Sequence, residues 1–413
     1  MLHVYLIYAG ILAILTIKIS VYKYGFRLNH YTLHNMFWFM TLLLALYFSN
    51  YKVPVNESIF YIIISGLICF NLTVFFVPKY QIVKPKSYWL NLKIRRFVEF
   101  IIIIFLIPQA YINFLLLREG VDLWAINANF WETRGDGTYI YNLLRQSLLT
   151  PLANVLIATS FYDKYHDAKP YSHIVTIAIA ITIGMLSMFV SGGGRTGVLQ
   201  LGFMLTLSCL AFYNKNLKWQ IVHVKIKYLL ALLIACISAI AWATFNRGHD
   251  SFIKELVDRY TLCIPLLEYY YYSPILDEHT YGTSMFEFFW TLINYPLTIF
   301  NIGDTGIIRN NSIIQEMIYL PAFGRDYNAY PTEYFNYIRD FGLWGVIIGP
   351  VLLAYMYNWL YKRFRCNLFY LLFFVVGVLS WTLESHFAFL RTNCLSIIYC
   401  VILFKVLRWR FRL

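Results

Sequence analysis

Apolar runs about twenty residues long recur from one end of the chain to the other, and "IVTIAIAITIGMLSMFV", residues 174–190, is typical. As a helix, a run of that length matches the hydrocarbon thickness of a bilayer, and a backbone in lipid must satisfy its own polar groups. Runs of this kind predict spans at 3–22, 33–49, 58–77, 97–117, 141–161, 172–190, 196–213, 226–245, 336–360, 367–383 and 388–405. The expected fold class is therefore all-α, a polytopic integral membrane protein with about eleven transmembrane helices. A single soluble core is excluded by composition. Of 413 residues 60% are hydrophobic and only 13% charged, where soluble domains carry about 25%. Pro108 inside the fourth run predicts a kink.

The formal net charge of +13 does not call for nucleic acid, because the basic residues sort onto alternate loops. Lys18, Lys23 and Arg27 lie on one, and the segment from Lys79 to Arg96 on the next. Lys164 and Lys169, then Lys215 to Lys227, then Lys362 to Arg365, and finally Lys405 to Arg412 follow. The positive-inside rule puts this set in the cytoplasm, the N-terminus outside and the C-terminus inside. The first run has neither a charged n-region nor a small-residue cleavage site, so it reads as a retained helix. Seven cysteines, mostly inside apolar runs and without C-x-x-C spacing, indicate packing rather than a disulfide framework or zinc.

One membrane domain, 1–413, is expected, with a long external loop from about 246 to 331. Loops of that length are functional or disordered. "LCIPLLEYYYYSPIL" and "MFEFFWTLINYPLTIF" are too apolar for disorder and predict interfacial or re-entrant helices, shaping a groove along the outer membrane surface. The run Tyr269 to Tyr272 would offer ring faces for stacking.

Against this background "SGGGRTG", Ser191 to Gly197, places Arg195 at an external turn among three glycines. Arg145, Arg247 and Arg391 fall at similar external depth on other spans. A charge there is a snorkelling anchor or a functional group. Guanidinium forks bind phosphate bidentately, and a glycine-rich turn at a helix start adds backbone N–H donors, so the four could converge on one anion. The turn lacks the Gly-Lys-Ser/Thr ending of a P-loop.

A second stretch, "YNAYPTEYFNYIRDFGLWGVIIGP", Tyr327 to Pro350, predicts a helix with Pro331 in its first turn and Glu333 at the positive dipole end. Glu333, Tyr337 and Asp340 are spaced to share one face, at the external surface, with Arg339 beside them. No D-x-D cluster marks a metal, and no cofactor motif is present, so metal-independent chemistry is expected.

The two stretches together, with the long loop between them, resemble the O-antigen polymerase (Wzy) family. That resemblance implies a GT-C-like inner-membrane glycosyltransferase acting on the periplasmic face. Donor and acceptor would be undecaprenyl-diphosphate-linked glycans, with membrane lipids and a chain-length regulator as further partners. Arginines of the external loops are the functional residues of that family. Arg195 matches one by its turn, and Arg247 and Arg325 fall in the loop where others are expected. Related O-antigen ligases have a histidine where this chain reads "PTEYF", so the resemblance does not name the base.

The residues suit such chemistry in their own right. Breaking a C1–O bond passes through an oxocarbenium-like state, and the departing diphosphate gathers charge that arginines stabilise. The attacking hydroxyl needs a proton acceptor, for which Glu333 comes first, followed by His249, His279, Asp340 and His386. Three other classes stay open: an O-antigen ligase, a membrane acyltransferase, and a flippase or transporter, which usually shows a hydropathy repeat not evident here.

Overall fold

The computed structural model describes residues 2–24, 29–49, 51–79, 92–121, 170–190, 252–285, 317–327 and 332–364, with the single residues 126, 149, 152, 156, 234, 238 and 402. These are mostly helical. Four helical stretches, Leu2–Tyr24, Glu57–Phe76, Lys93–Arg118 and Glu333–Trp359, are long and apolar enough to cross a membrane. They correspond to the runs at 3–22, 58–77, 97–117 and 336–360. The runs at 141–161, 196–213, 226–245, 367–383 and 388–405 lie almost wholly outside the described residues.

Contacts gather the chain into two compact units. The first comprises Met1–Ile82, Ile253–Lys362 and Ser380–Cys394, and the second Val83–Phe252, Arg363–Leu379 and Leu395–Leu413.

In the first unit α1 (Leu2–Tyr24), α2 (His30–Leu43, continued by a π turn at Leu44–Phe48) and α3 (Glu57–Phe76) pack together. α1 buries Leu2, Leu6, Ala9, Ala13, Thr16, Ser20 and Tyr24, a stripe at steps of three and four. Its small residues let backbones approach closely, the usual basis of helix association without a hydrophobic drive. Asn29 and Asn56 cap α2 and α3, each accepting a backbone N–H from two or three residues on. The far end of α3 is closed by Lys23, whose Nζ donates to the carbonyls of Val74, Phe75 and Val77 at 2.8, 3.0 and 2.5 Å.

The long loop contributes α6 (Phe252–Thr261), α7 (Cys263–Tyr271) and a small hairpin, β1 (Ile318–Leu320) with β2 (Arg325–Tyr327). α7 is helical, as its apolar sequence predicts, and most of it is packed into the protein. Cys263, Ile264, Pro265, Leu266, Leu267 and Tyr270 are buried in one core with Trp38, Leu67, Tyr334 and Phe335. An apolar run has more to gain from that core than from an interface. Burial also pushes the Cys263 thiol up, so it stays protonated and inert. Of the tyrosine run, Tyr269 and Tyr272 are exposed and Tyr270 is core. The α2–α3 connection ties these pieces down. Tyr51 Oη donates to Thr261 O at 2.8 Å, Lys52 N to Ala322 O at 2.6 Å and Asn56 N to Glu268 Oε1 at 2.7 Å. The second aromatic segment lies outside the described residues.

The stretch expected as one helix over 336–360 is two. α8 (Glu333–Phe341) ends in a 3-10 turn, Gly342–Trp344, and α9 (Gly345–Phe364) follows. Gly342 sits at φ +61°, where a side chain would be strained. A Cβ on Gly345 would fall 1.8 Å from the carbonyl oxygen of Tyr337, and one on Gly349 2.2 Å from the Tyr337 ring. Residues eight apart on a straight helix are about 12 Å apart, so the chain bends sharply here and α8 crosses the start of α9. The small residues of "DFGLWGVIIG" permit that crossing. α8 begins at Glu333 behind the N-cap Thr332, whose Oγ1 accepts from Tyr334 N at 3.2 Å; Pro331 lies outside the described residues.

In the second unit α4 (Leu92–Arg118), which runs on through Pro108, packs on α5 (Pro170–Val190). Arg95, fully buried, donates to Glu99 at 2.8 Å and to Leu156 O at 3.1 Å.

Candidate functional site

The bend before α9 carries α8 into the first unit, and every residue from Glu333 to Asp340 is buried. Tyr334 Oη donates to Ile63 O at 3.2 Å, and its ring fills the space beside Gly66, where a Cβ would come within 2.1 Å. Gly66 is nine residues into α3, about 14 Å along its axis. Glu333 therefore sits level with the middle of the bundle and not at its end, 2% exposed. The sequence reading placed it at the outer surface because it assumed a continuous helix.

Among the described residues, Trp38, Tyr337 and His34 reach the Glu333 carboxylate. Trp38 Nε1 donates to Oε1 at 3.2 Å, Tyr337 Oη to Oε2 at 3.5 Å, and His34 Nε2 stands 3.7 Å from Oε1. His34 lies flat on Phe70, with ring centroids 3.8 Å apart and planes 6° from parallel. One turn earlier on α2, His30 Nε2 donates to Asn358 Oδ1 at 2.9 Å. Asn358 also accepts from Tyr24 and donates to Tyr31, which donates to Thr73 at 2.7 Å. Asn35 and Asn71 exchange two amide bonds nearby, at 2.7 and 2.8 Å. Together these bonds link α1, α2, α3 and α9 through polar groups that have no water to turn to.

Asp340 is at the other end of α8 and does a different job. Its carboxylate accepts from Thr280 Oγ1 at 2.6 Å, Ser284 N at 2.9 Å and Met285 N at 2.7 Å, while Arg339 O accepts from Thr280 N. It pins the turn at 280–285 to α8. Asp340→Ala would strand two buried amides and a hydroxyl, each costing about 1–3 kcal/mol. The detergent-solubilised variant is expected to melt several degrees below wild type in a thermal scan. Arg339, buried and 5.8 Å over the Phe335 ring, is no interfacial residue. Arg325 is 43% exposed on β2, bonded to Tyr327 Oη at 2.5 Å and paired with Asp258 at 3.6 Å. His279 is exposed, beside Gly342.

The structure thus brings Glu333 and Tyr337 together and leaves Asp340 apart from them. Arg145, Arg195, Arg247, His249, His386 and Arg391 lie outside the described residues. At the end of α5, Asn113 of α4 donates to Phe189 O at 2.9 Å and Val190 O at 3.0 Å. His34 and Trp38 were missed by the sequence reading, which took them as part of a span. Their signal was an ionisable residue inside an apolar run, and His30, His34 and Trp38 at steps of four on one helical face. Among the described residues no group of three histidine, cysteine or acidic side chains could hold a metal ion.

No protein-family model matches the chain, and neither the curated proteins nor the solved structures contain a significant match.

Proposed function

We propose that this chain is a bacterial inner-membrane glycosyltransferase that polymerises undecaprenyl-diphosphate-linked oligosaccharide repeat units into O-antigen or a similar surface polysaccharide. It would do so on the periplasmic face, with about eleven spans in a GT-C-like arrangement, the N-terminus periplasmic and the C-terminus cytoplasmic. The observation that carries the reading is the pairing, in one chain, of the "SGGGRTG" turn with the segment that delivers Glu333.

In this scheme Arg195 and Arg247 hold the diphosphate, and the positive charge they bring stabilises it most as it leaves. Arg145, Arg325 and Arg391 would extend the anionic subsite. Glu333 takes the proton of the attacking sugar hydroxyl. A carboxylate has about four acceptor sites, so it can take a proton while Trp38 and Tyr337 donate to it at 3.2 and 3.5 Å. Asp340, with three shorter bonds, does not compete for that role.

Deletion of the gene tests the reading. The expected result is surface glycan reduced to single repeat units, with the full ladder restored by a plasmid copy. An unchanged ladder in the deletion strain would end it.

A further inference from the structure

The environment of Glu333 contains a group that the scheme above does not use. We propose that His34 is the positioning partner of Glu333, the two side chains sharing one exchangeable proton in the middle of the bundle. Its use in turnover rests on the polymerase reading, but its existence does not.

The geometry singles out His34 among the neighbours of the carboxylate. Trp38 can only donate, and a tyrosine keeps its proton at neutral pH. Imidazole alone gains and loses a proton there. Side-chain exposures of 1% and 2% for His34 and Glu333 keep bulk water from screening the pair. Stacking on Phe70 fixes the plane of the ring, and the Trp38 bond fixes Oε1, so the 3.7 Å between them is set from both sides. Among the described residues, the other titratable groups facing the pair are His30 from α2, Tyr334 and Tyr337 from α8, and Tyr357 from α9. His30 is occupied with Asn358, and that bond holds α2 in register with α9.

During transfer the O–H bond of the acceptor breaks as its oxygen bonds to C1, and the C1–O bond to diphosphate breaks with its electron pair leaving on the diphosphate. The proton goes to the Glu333 carboxylate and from there to His34 Nε2. Glu333 is then ionised again beside an imidazolium, a pair each member of which stabilises the other. Before the next turnover the imidazolium hands the proton back through the Glu333 carboxylate to the departing diphosphate, which carries it out of the site.

Histidine labelled with nitrogen-15 in the full-length protein, held in lipid nanodiscs, provides the test. The His34 signal is assigned by its loss in His34→Gln, and its protonation midpoint is followed by pH titration. Glu333→Gln removes the charge that favours the imidazolium, so the midpoint is expected to fall by about one pH unit or more. Glu333→Asp keeps the charge but withdraws it by one methylene, so a smaller fall is expected; it carries the comparison if Glu333→Gln does not fold. A midpoint that both variants leave unchanged overturns the proposal. So does a His34 that keeps one protonation state wherever wild type stays folded. Coupled titration in a protein whose deletion leaves the glycan ladder intact would uphold the pair and remove the polymerase reading alone.

Discussion

Arg195→Ala is expected to lower polymerisation a hundredfold or more, with membrane insertion unchanged. A charge-assisted contact to a leaving diphosphate in a water-poor site contributes about 3 kcal/mol to the transition state, which is the loss expected. Arg195→Lys keeps the charge and loses the planar fork, so it should fall between alanine and wild type. A snorkelling anchor behaves otherwise, because lysine snorkels as well as arginine. The readout is the distribution of polysaccharide chain lengths at matched expression. Wild-type ladders from both variants would reduce the glycine-arginine turn to an anchor.

Gly345→Ala is expected to be the most damaging single methyl group in the first unit. The added Cβ would meet the carbonyl oxygen of Tyr337 at 1.8 Å, and backbone cannot swing aside as a side chain can. α8 must lift from α9, and with it the tyrosines and Glu333 that it seats. Overpacking of this kind costs about 3 kcal/mol at the upper end of its usual range. Gly10→Ala is the control, since its Cβ would meet the Phe39 ring at an ordinary 3.6 Å. Thermal unfolding in detergent should separate the two variants clearly. If Gly345→Ala melts with Gly10→Ala, the crossing of α8 and α9 is not what holds Glu333 in place.

The helical spans were legible because a twenty-residue apolar run has one economical solution in lipid. The start of α3 and the ends of α4, α5 and α9 fall within a few residues, or about one turn, of the expected boundaries. The crossing at Gly342–Gly345 was not legible. Hydropathy sums over the bend, so "EYFNYIRDFGLWGVIIG" reads as one entering helix. That single misplacement moved Glu333 from mid-bundle to the surface. It also hid His34 and Trp38, whose relevance depends on what packs against α2 and cannot be inferred from α2 alone. Tyr337 was found with Glu333 because i, i+4 contact is local to one helix. Asp340, on the same face, met different partners because about 10 Å of helix separates it from Glu333. The depth of packing of α7 was not legible for a related reason: amphipathic and core helices carry similar apolar content, and only the rest of the fold decides between them.

The central claim is that this chain by itself lengthens lipid-linked glycans through Glu333. Its direct measurement is reconstitution of the purified full-length protein in liposomes with undecaprenyl-diphosphate-linked repeat units and no other protein. The account predicts a ladder of products spaced by one repeat unit from wild type, and only the unreacted unit from Glu333→Gln that remains folded. No elongation by wild type, or an equal ladder from both proteins, would contradict it.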